Sequence, residues 1–356
     1  MIFRQLFDAV SSTYTYILGC ESSREAVVID SVFEQHQRDT ALLRELNLRV
    51  KYSLDTHVHA DHVTGAWRLK QVYNAPIVLS GEYHAQCVDI AATDGMVLSF
   101  GNYALAVRAT PGHTNGCVTY VMSDKSMAFT GDCLLIRGAG RTDFQSGDVH
   151  TMWQSIRNQI FSLPDHCLIY PGHDYLGRTV STVAEEKRFN PRIGGDAREE
   201  DFVGYMQNLG LPHPKQLAIA LPANLQCGQP SDDFTRAQVT WGPVTVTFAG
   251  IPELEPDWVA RHLEDLYVLD VRSLQEFNGE LGHIQGATLI PLDELRARIQ
   301  EIKTEKPIVT VCQSGKRSAM ATQILQSAGF DRVANIPGGL IHWSRLALPA
   351  LVGGLS

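Results

Sequence analysis

Thr56–Gly65 reads THVHADHVTG, which crowds His57, His59, Asp61 and His62 into one short segment. Imidazole and carboxylate are a ligand set for first-row transition metals. The residues just before it, VKYSLD, alternate as a strand does, so the motif falls on a strand-end loop. Three later segments end in the same way: TPGHT at 110–114, TGD at 130–132 and PGHD at 171–174. His113, Asp132, His173 and Asp174 can therefore converge with the first group. A lone histidine of this kind is more often a hydrogen-bonded structural residue; the whole set points to metal. By ligand inventory it can hold one ion or two.

Around these motifs the chain alternates strand-like and helix-like runs. AVVID at 26–30 precedes a helical run from Phe33 to Leu46, and a helical segment, Ala66 to Tyr73, follows the motif. PIVLS, YALAVRA, CVTYVM and SMAFT read as strands, 148–161 as a helix, and most of the remainder to Asn208 as helical. A length of 356 residues exceeds what one core usually supports. From Pro222 to about Gly250 the chain is polar and punctuated by Gly and Pro, which places a boundary near 235 and gives domains 1–235 and 236–356. The second alternates strand and helix, the pattern of a small parallel α/β domain.

Composition narrows the function classes. Hydrophobic residues are 44% and charged residues 19%, a globular balance, and the formal net charge is -9. With no basic run, a nucleic-acid or anionic-membrane partner is not expected. The N-terminus alternates as a first strand and shows neither a signal-peptide pattern nor a span of transmembrane length, so a cytoplasmic location is expected. Seven cysteines without regular spacing do not form a disulfide framework, and reduced thiols are expected. A homodimer is the commonest prior for a soluble enzyme.

Cys312 stands apart from the other cysteines. In VCQSGKRSAM it follows an apolar strand and precedes small and basic residues and then a helix. Successive backbone N–H groups and the helix start can face the sulfur, with Lys316 and Arg317 beside it, and favour a thiolate or a persulfide anion there. The plainer alternative is a buried strand-end thiol. The phosphatase spacing Cys-x5-Arg is missed by one residue, because Arg317 lies at Cys+5 and Ser318 at Cys+6.

THVHADH, TPGHT, TGD and PGHD in this order resemble the metallo-β-lactamase superfamily, which implies an αββα sandwich. In that superfamily His57, His59 and His113 would serve one metal and Asp61, His62 and His173 another, with Asp132 between them. Within it, MAFTGDCLLIRGAGRTDFQSG, LIYPGHDYLGRTVSTVAEE and LPANLQCG resemble persulfide dioxygenases over residues 1–228. This resemblance implies one Fe(II) per chain, held by His57, His113 and Asp132, with His59, Asp61, His62 and His173 orienting the ligands through hydrogen bonds. It also implies oxidation of glutathione persulfide by O2 to sulfite and glutathione, with Arg141, Tyr175 and Arg192 as contacts for the substrate.

LDVRSLQEFNGELGHIQGATLIPL at 269–292, the six-residue loop CQSGKR and IPGGLIHW at 336–343 resemble a single rhodanese domain. There the cysteine carries sulfane sulfur between a donor such as thiosulfate and a thiol such as glutathione, with Lys316 and Arg317 near the substrate. The expectation is thus a persulfide dioxygenase joined to a rhodanese. The alternatives are a dinuclear zinc thioester hydrolase of the glyoxalase II kind in the first half, or a sulfur-carrying or regulatory module in the second.

Overall fold

Strand Ile2–Asp8 pairs antiparallel with Thr13–Gly19, and this with Glu25–Ile29; Arg49–Leu54, Ile77–Ser80 and Ile90–Ala92 then add in parallel to complete a six-stranded sheet. In this computed structural model residues 1–212, 216–230 and 241–351 are described. The expected boundary near 235 lies outside the described residues. The chain divides into two units, residues 1–36 with 46–234, and residues 37–45 with 235–356.

A second six-stranded sheet of the first unit runs, in spatial order, Ser181–Thr182, Leu168–Pro171, Met127–Gly131, Val118–Met122, Tyr103–Ala109 and Val97–Phe100. The two-residue period of a strand sorts its side chains. Tyr120, Phe129 and Tyr170 join Tyr16, Val27, Ile29 and Leu54 in a core between the sheets. Their neighbours Val121, Ala128 and Ile169 face Met152, Trp153, Ile156 and Phe202 of the helical layer on the other side. Against the first sheet, the helix Ala66–Tyr73 buries Ala66 and Leu69. The unit is an αββα sandwich, and the loops carrying the His and Asp motifs all leave strand ends of its two sheets.

The helix Leu217–Asn224 contains Pro222, so helical structure reaches into the first residues of the Gly- and Pro-punctuated stretch. One expectation fails here. Cys87 and Cys227 form a disulfide, against the expectation of reduced thiols. They lie 140 positions apart in sequence and meet only because the helix Ala66–Tyr73 packs beside both of them, a relation that spacing does not encode. Cys20, Cys117, Cys133, Cys167 and Cys312 are free and buried.

In the second unit, Pro252–Glu253, Val333–Asn335, Ile308–Val311, Tyr267–Asp270 and Thr288–Leu289 form a parallel sheet in that order, with Thr245–Val246 antiparallel at the edge. Alternation again divides the strands: Val309 and Val311 pack with Trp343 on one face, Ile308 and Cys312 with Leu325 on the other. Residues 37–45 group with this unit, Arg44 donating to the Val246 carbonyl at 3.0 Å and the Phe248 N–H to Glu45 at 2.8 Å. Among the described residues no helix is long and apolar enough to cross a membrane.

Candidate metal centre and cysteine loop

The strand Arg49–Leu54 delivers THVHADHVTG into the interior of the first unit, where His57, His59 and His62 are all buried. His113 arrives from the loop after Tyr103–Ala109, and Asp132 from the end of Met127–Gly131. One donor atom from each of His57, His113 and Asp132 lies within 4.8 Å of the other two, a separation one ion can bridge. Gly131 has φ +50°, and a Cβ on it would stand 2.5 Å from the Thr56 hydroxyl; a Cβ on Gly172 would stand 2.8 Å from Oδ1 of Asp132. Only glycine lets these loops close on the centre.

Hydrogen bonding fixes which histidine nitrogens face inward. The carbonyl of Arg141 accepts from Nδ1 of His113 at 2.6 Å, which leaves Nε2 as a lone-pair donor. The Thr56 hydroxyl gives its proton to Asp30 at 2.9 Å, and so accepts from Nδ1 of His57 at 3.0 Å, freeing Nε2 there too. Burial first, and then neighbouring His59, push His57 well below the ordinary histidine value, which keeps it neutral as a ligand must be. Burial alone would raise the Asp132 carboxyl, but His173 beside it, through its charge and its hydrogen bond, outweighs burial and holds the carboxyl well below the usual carboxylate range.

The remaining polar residues form a shell around this group. His173 sits between two carboxylates, with Nδ1 2.6 Å from Oδ1 of Asp132 and Nε2 3.0 Å from Oδ2 of Asp61. His62 Nδ1 lies 2.9 Å from Asp61, and His59 Nε2 3.2 Å from Asp30. His59 Nδ1 and His62 Nε2 are buried without a partner. A buried nitrogen with nothing to bond is costly. His59, Asp61 and His62 also place donor atoms within 4.8 Å of one another, so the residues fit a metal centre and still offer a second set. Asp174 does not converge: it caps the following turn, accepting from the N–H groups of Leu176 and Arg178 and pairing with the Arg178 guanidinium.

The expected substrate contacts divide. Tyr175 is exposed and stacks parallel on His173 at 6.2 Å, at the mouth of the centre. Arg141 is held by Asp143 and by the carbonyls of Leu211 and Pro212, and Arg192 by the carbonyl of Ala139 with its guanidinium over Tyr205. Both guanidinium groups thus tie loops together. Three residues that sequence reasoning passed over do much of the positioning. Thr13 contacts Asp61, His62 and His173, Asp30 holds Thr56 and His59, and Asn224 bonds the loop backbone. Asp30 ends the apolar run AVVID, and Asn224 lies in LPANLQCG; those positions were the available signals.

In the second unit Cys312 follows the strand Ile308–Val311, and the helix Lys316–Ser327 starts four residues later behind Gly315 at φ +84°. The Ser318 hydroxyl donates to Sγ of Cys312 at 3.3 Å. Leu340 N–H donates to the Cys312 carbonyl at 2.8 Å and Ile341 N–H to Gln313 at 3.0 Å, so IPGGLIHW backs the loop. Arg317 grips Glu276 with both terminal nitrogens, at 2.8 and 2.5 Å, while Lys316 is exposed. The Arg317 hydrogen bonds lead in drawing the Glu276 carboxyl down to about 2.

The family model described as "Metallo-beta-lactamase superfamily" matches residues 9–173, and "Rhodanese-like domain" matches 255–346. The human protein "Persulfide dioxygenase ETHE1, mitochondrial" is 52% identical over 229 residues, 64% of this chain and 89% of the human one. The crystal structure of ETHE1 from Myxococcus xanthus is 48% identical, with TM-score 0.62, and covers 64% of this chain and 100% of that one. A metallo-beta-lactamase structure from Staphylococcus aureus, 25% identical with TM-score 0.60, covers 95% of this chain and 98% of its own. The chain therefore belongs to the metallo-beta-lactamase superfamily, with a rhodanese-like domain following. More narrowly, it joins the persulfide dioxygenase branch of that superfamily to a rhodanese-like domain in one polypeptide, a fusion.

Proposed function

We propose that the first unit oxidises glutathione persulfide with O2 to sulfite and glutathione, using one Fe(II) held by His57, His113 and Asp132. The observation that carries this reading is the convergence of those three donors with their outer atoms already hydrogen-bonded. When bound, Fe(II) with two imidazoles and a carboxylate keeps open positions for the persulfide sulfur and dioxygen. The overall reaction balances as GSSH + O2 + H2O → GSH + H2SO3. The protein's own residues do the rest. His173 fixes the Asp132 carboxylate, Thr56 and the Arg141 carbonyl fix the two imidazoles, and Tyr175 shapes the entrance. His59, Asp61 and His62 hold the loop polar and ordered.

The second unit transfers sulfane sulfur through Cys312. Its thiolate takes the outer sulfur of thiosulfate and releases sulfite, and the resulting persulfide passes that sulfur to glutathione; run backwards, the same steps make thiosulfate. Ser318 donates to the sulfur and Lys316 offers a cation at the loop rim. Metal analysis of the purified protein combined with oxygen uptake tests the first half: one iron per chain and uptake on adding glutathione persulfide are expected. Two zincs per chain without uptake would instead establish a thioester-hydrolase type of centre.

A further inference from the structure

Outside the metal centre, the disulfide Cys87–Cys227 links two segments that each brace a metal-ligand loop. On one side, Asn224 is buried and its side chain makes three bonds to the THVHADHVTG backbone. Its Nδ2 donates to the carbonyls of His59 at 2.9 Å and His62 at 2.8 Å, and its Oδ1 accepts from Thr64 N–H at 2.8 Å. The turn that follows is tied to Asn224, whose carbonyl accepts from Cys227 N–H at 2.9 Å, and the Cys227 carbonyl accepts from Trp67 N–H at 3.1 Å. Gly228 lies so close to the Thr64 carbonyl that a Cβ would stand 2.1 Å away. On the other side, four residues before Cys87, the Tyr83 hydroxyl bonds the Thr114 hydroxyl, next to His113.

The disulfide is also reachable. Cys87 is partly exposed and lines a cleft of about 560 Å³ with His84, Gln86, Gln226 and Gln229, a polar setting for a small thiol. Cys227 is buried behind it.

We propose that Cys87–Cys227 is a thiol-exchange site that clamps the metal loop: oxidised, it holds Asn224 against residues 59–64; reduced, it loosens them. A small thiolate would attack Sγ of Cys87, break the Cys87–Cys227 bond and leave a mixed disulfide with a Cys227 thiolate, which takes up a proton. A second thiol then resolves the mixed disulfide. The balance is CysS–SCys + 2 RSH → 2 CysSH + RSSR, with two electrons passing from the thiols to the protein disulfide. The inference rests on reading the His57 loop as metal-binding, but not on which metal or substrate it takes.

Differential alkylation and mass spectrometry of the full-length protein, before and after incubation with oxidised and then reduced glutathione, read the bond itself. Removal of metal by a chelator, and backbone hydrogen exchange in 59–64, read the clamp. Reduction is expected to speed metal loss about tenfold, the scale of an outer-shell change, and to raise exchange in that loop. Cys87→Ser should show the reduced behaviour and ignore reductant. Asn224→Ala should show it in both redox states with the disulfide intact, whereas a purely structural crosslink would keep its effect in that variant. Free thiols that oxidised glutathione cannot join would overturn the proposal. So would a disulfide whose reduction leaves both chelation rate and exchange unchanged. If the oxidised protein binds no metal at all, the metal-site reading fails, and the exchange data still decide the clamp.

Discussion

His173 Nδ1 and Asp132 Oδ1 lie 2.6 Å apart, with both residues buried. A carboxylate so held presents its other oxygen in a fixed direction, toward His113, whose Nε2 is 3.6 Å from Oδ2. His173→Ala is therefore expected to fold, to lose metal affinity and oxygen uptake by roughly 10–100-fold, and to leave thiosulfate-to-glutathione transfer near wild type. Metal titration beside both assays checks it; unchanged metal affinity would contradict the orienting role.

Removing the metal and removing the sulfur carrier should separate the two activities. Chelated protein is expected to stop consuming oxygen while still transferring sulfur. Cys312→Ser is expected to do the reverse, because its thiolate is the only sulfur carrier in the proposed transfer. Parallel assays on the two preparations suffice, and loss of both activities in either one would contradict independent sites.

Glu276 titrates at about 2 in the folded chain because Arg317 grips it. The sign follows from linkage: a carboxyl whose folded pKa lies below its unfolded value of about 4.3 adds stability at higher pH, and loses it as pH falls from there toward 2. Urea melts of the second unit between pH 5 and pH 3 should show a declining midpoint, and Glu276→Gln should flatten that decline. An identical slope in the variant would mean that the pair does not couple to folding.

Arg272 is fully buried and bonds Asp270 with Nε and Nη2, and the carbonyls of Glu276 and Gly282 with its terminal nitrogens. Breaking a buried pair strands the other charge, so Arg272→Ala should destabilise the second unit by about 3–5 kcal/mol. Denaturation followed by tryptophan fluorescence, with Trp343 in that core, measures it. Because Arg272 also holds the backbone around Glu276, sulfur transfer should fall along with stability.

The sandwich is legible through a resemblance: THVHADH, TPGHT, TGD and PGHD in that order point to the superfamily that implies it, while strand alternation by itself shows only that their loops can converge. The small parallel domain is legible more directly, from strand-helix alternation around Cys312. What escaped were relations between distant segments. Nothing local marks Asn224 as a partner of His59, 165 positions away, or Cys87 as a partner of Cys227. Charge and position make Arg141 and Arg192 visible in a sequence as candidate contacts for an anionic substrate, while their bonds to the carbonyls of Leu211, Pro212 and Ala139 are relations between distant segments that it does not show. Asp174 follows His173 in a strand-end motif that suggests convergence with the metal-ligating groups, but the N–H groups of Leu176 and Arg178 engage its carboxylate, a turn that spacing does not show.

The origin of the three candidate ligands has a mechanical meaning. His57 hangs from the sheet that begins with Ile2–Asp8, while His113 and Asp132 hang from the sheet facing it. The centre is therefore a rivet through the two halves of the sandwich, and its occupancy bears on how firmly the sheets are fastened together as well as on what the protein can oxidise.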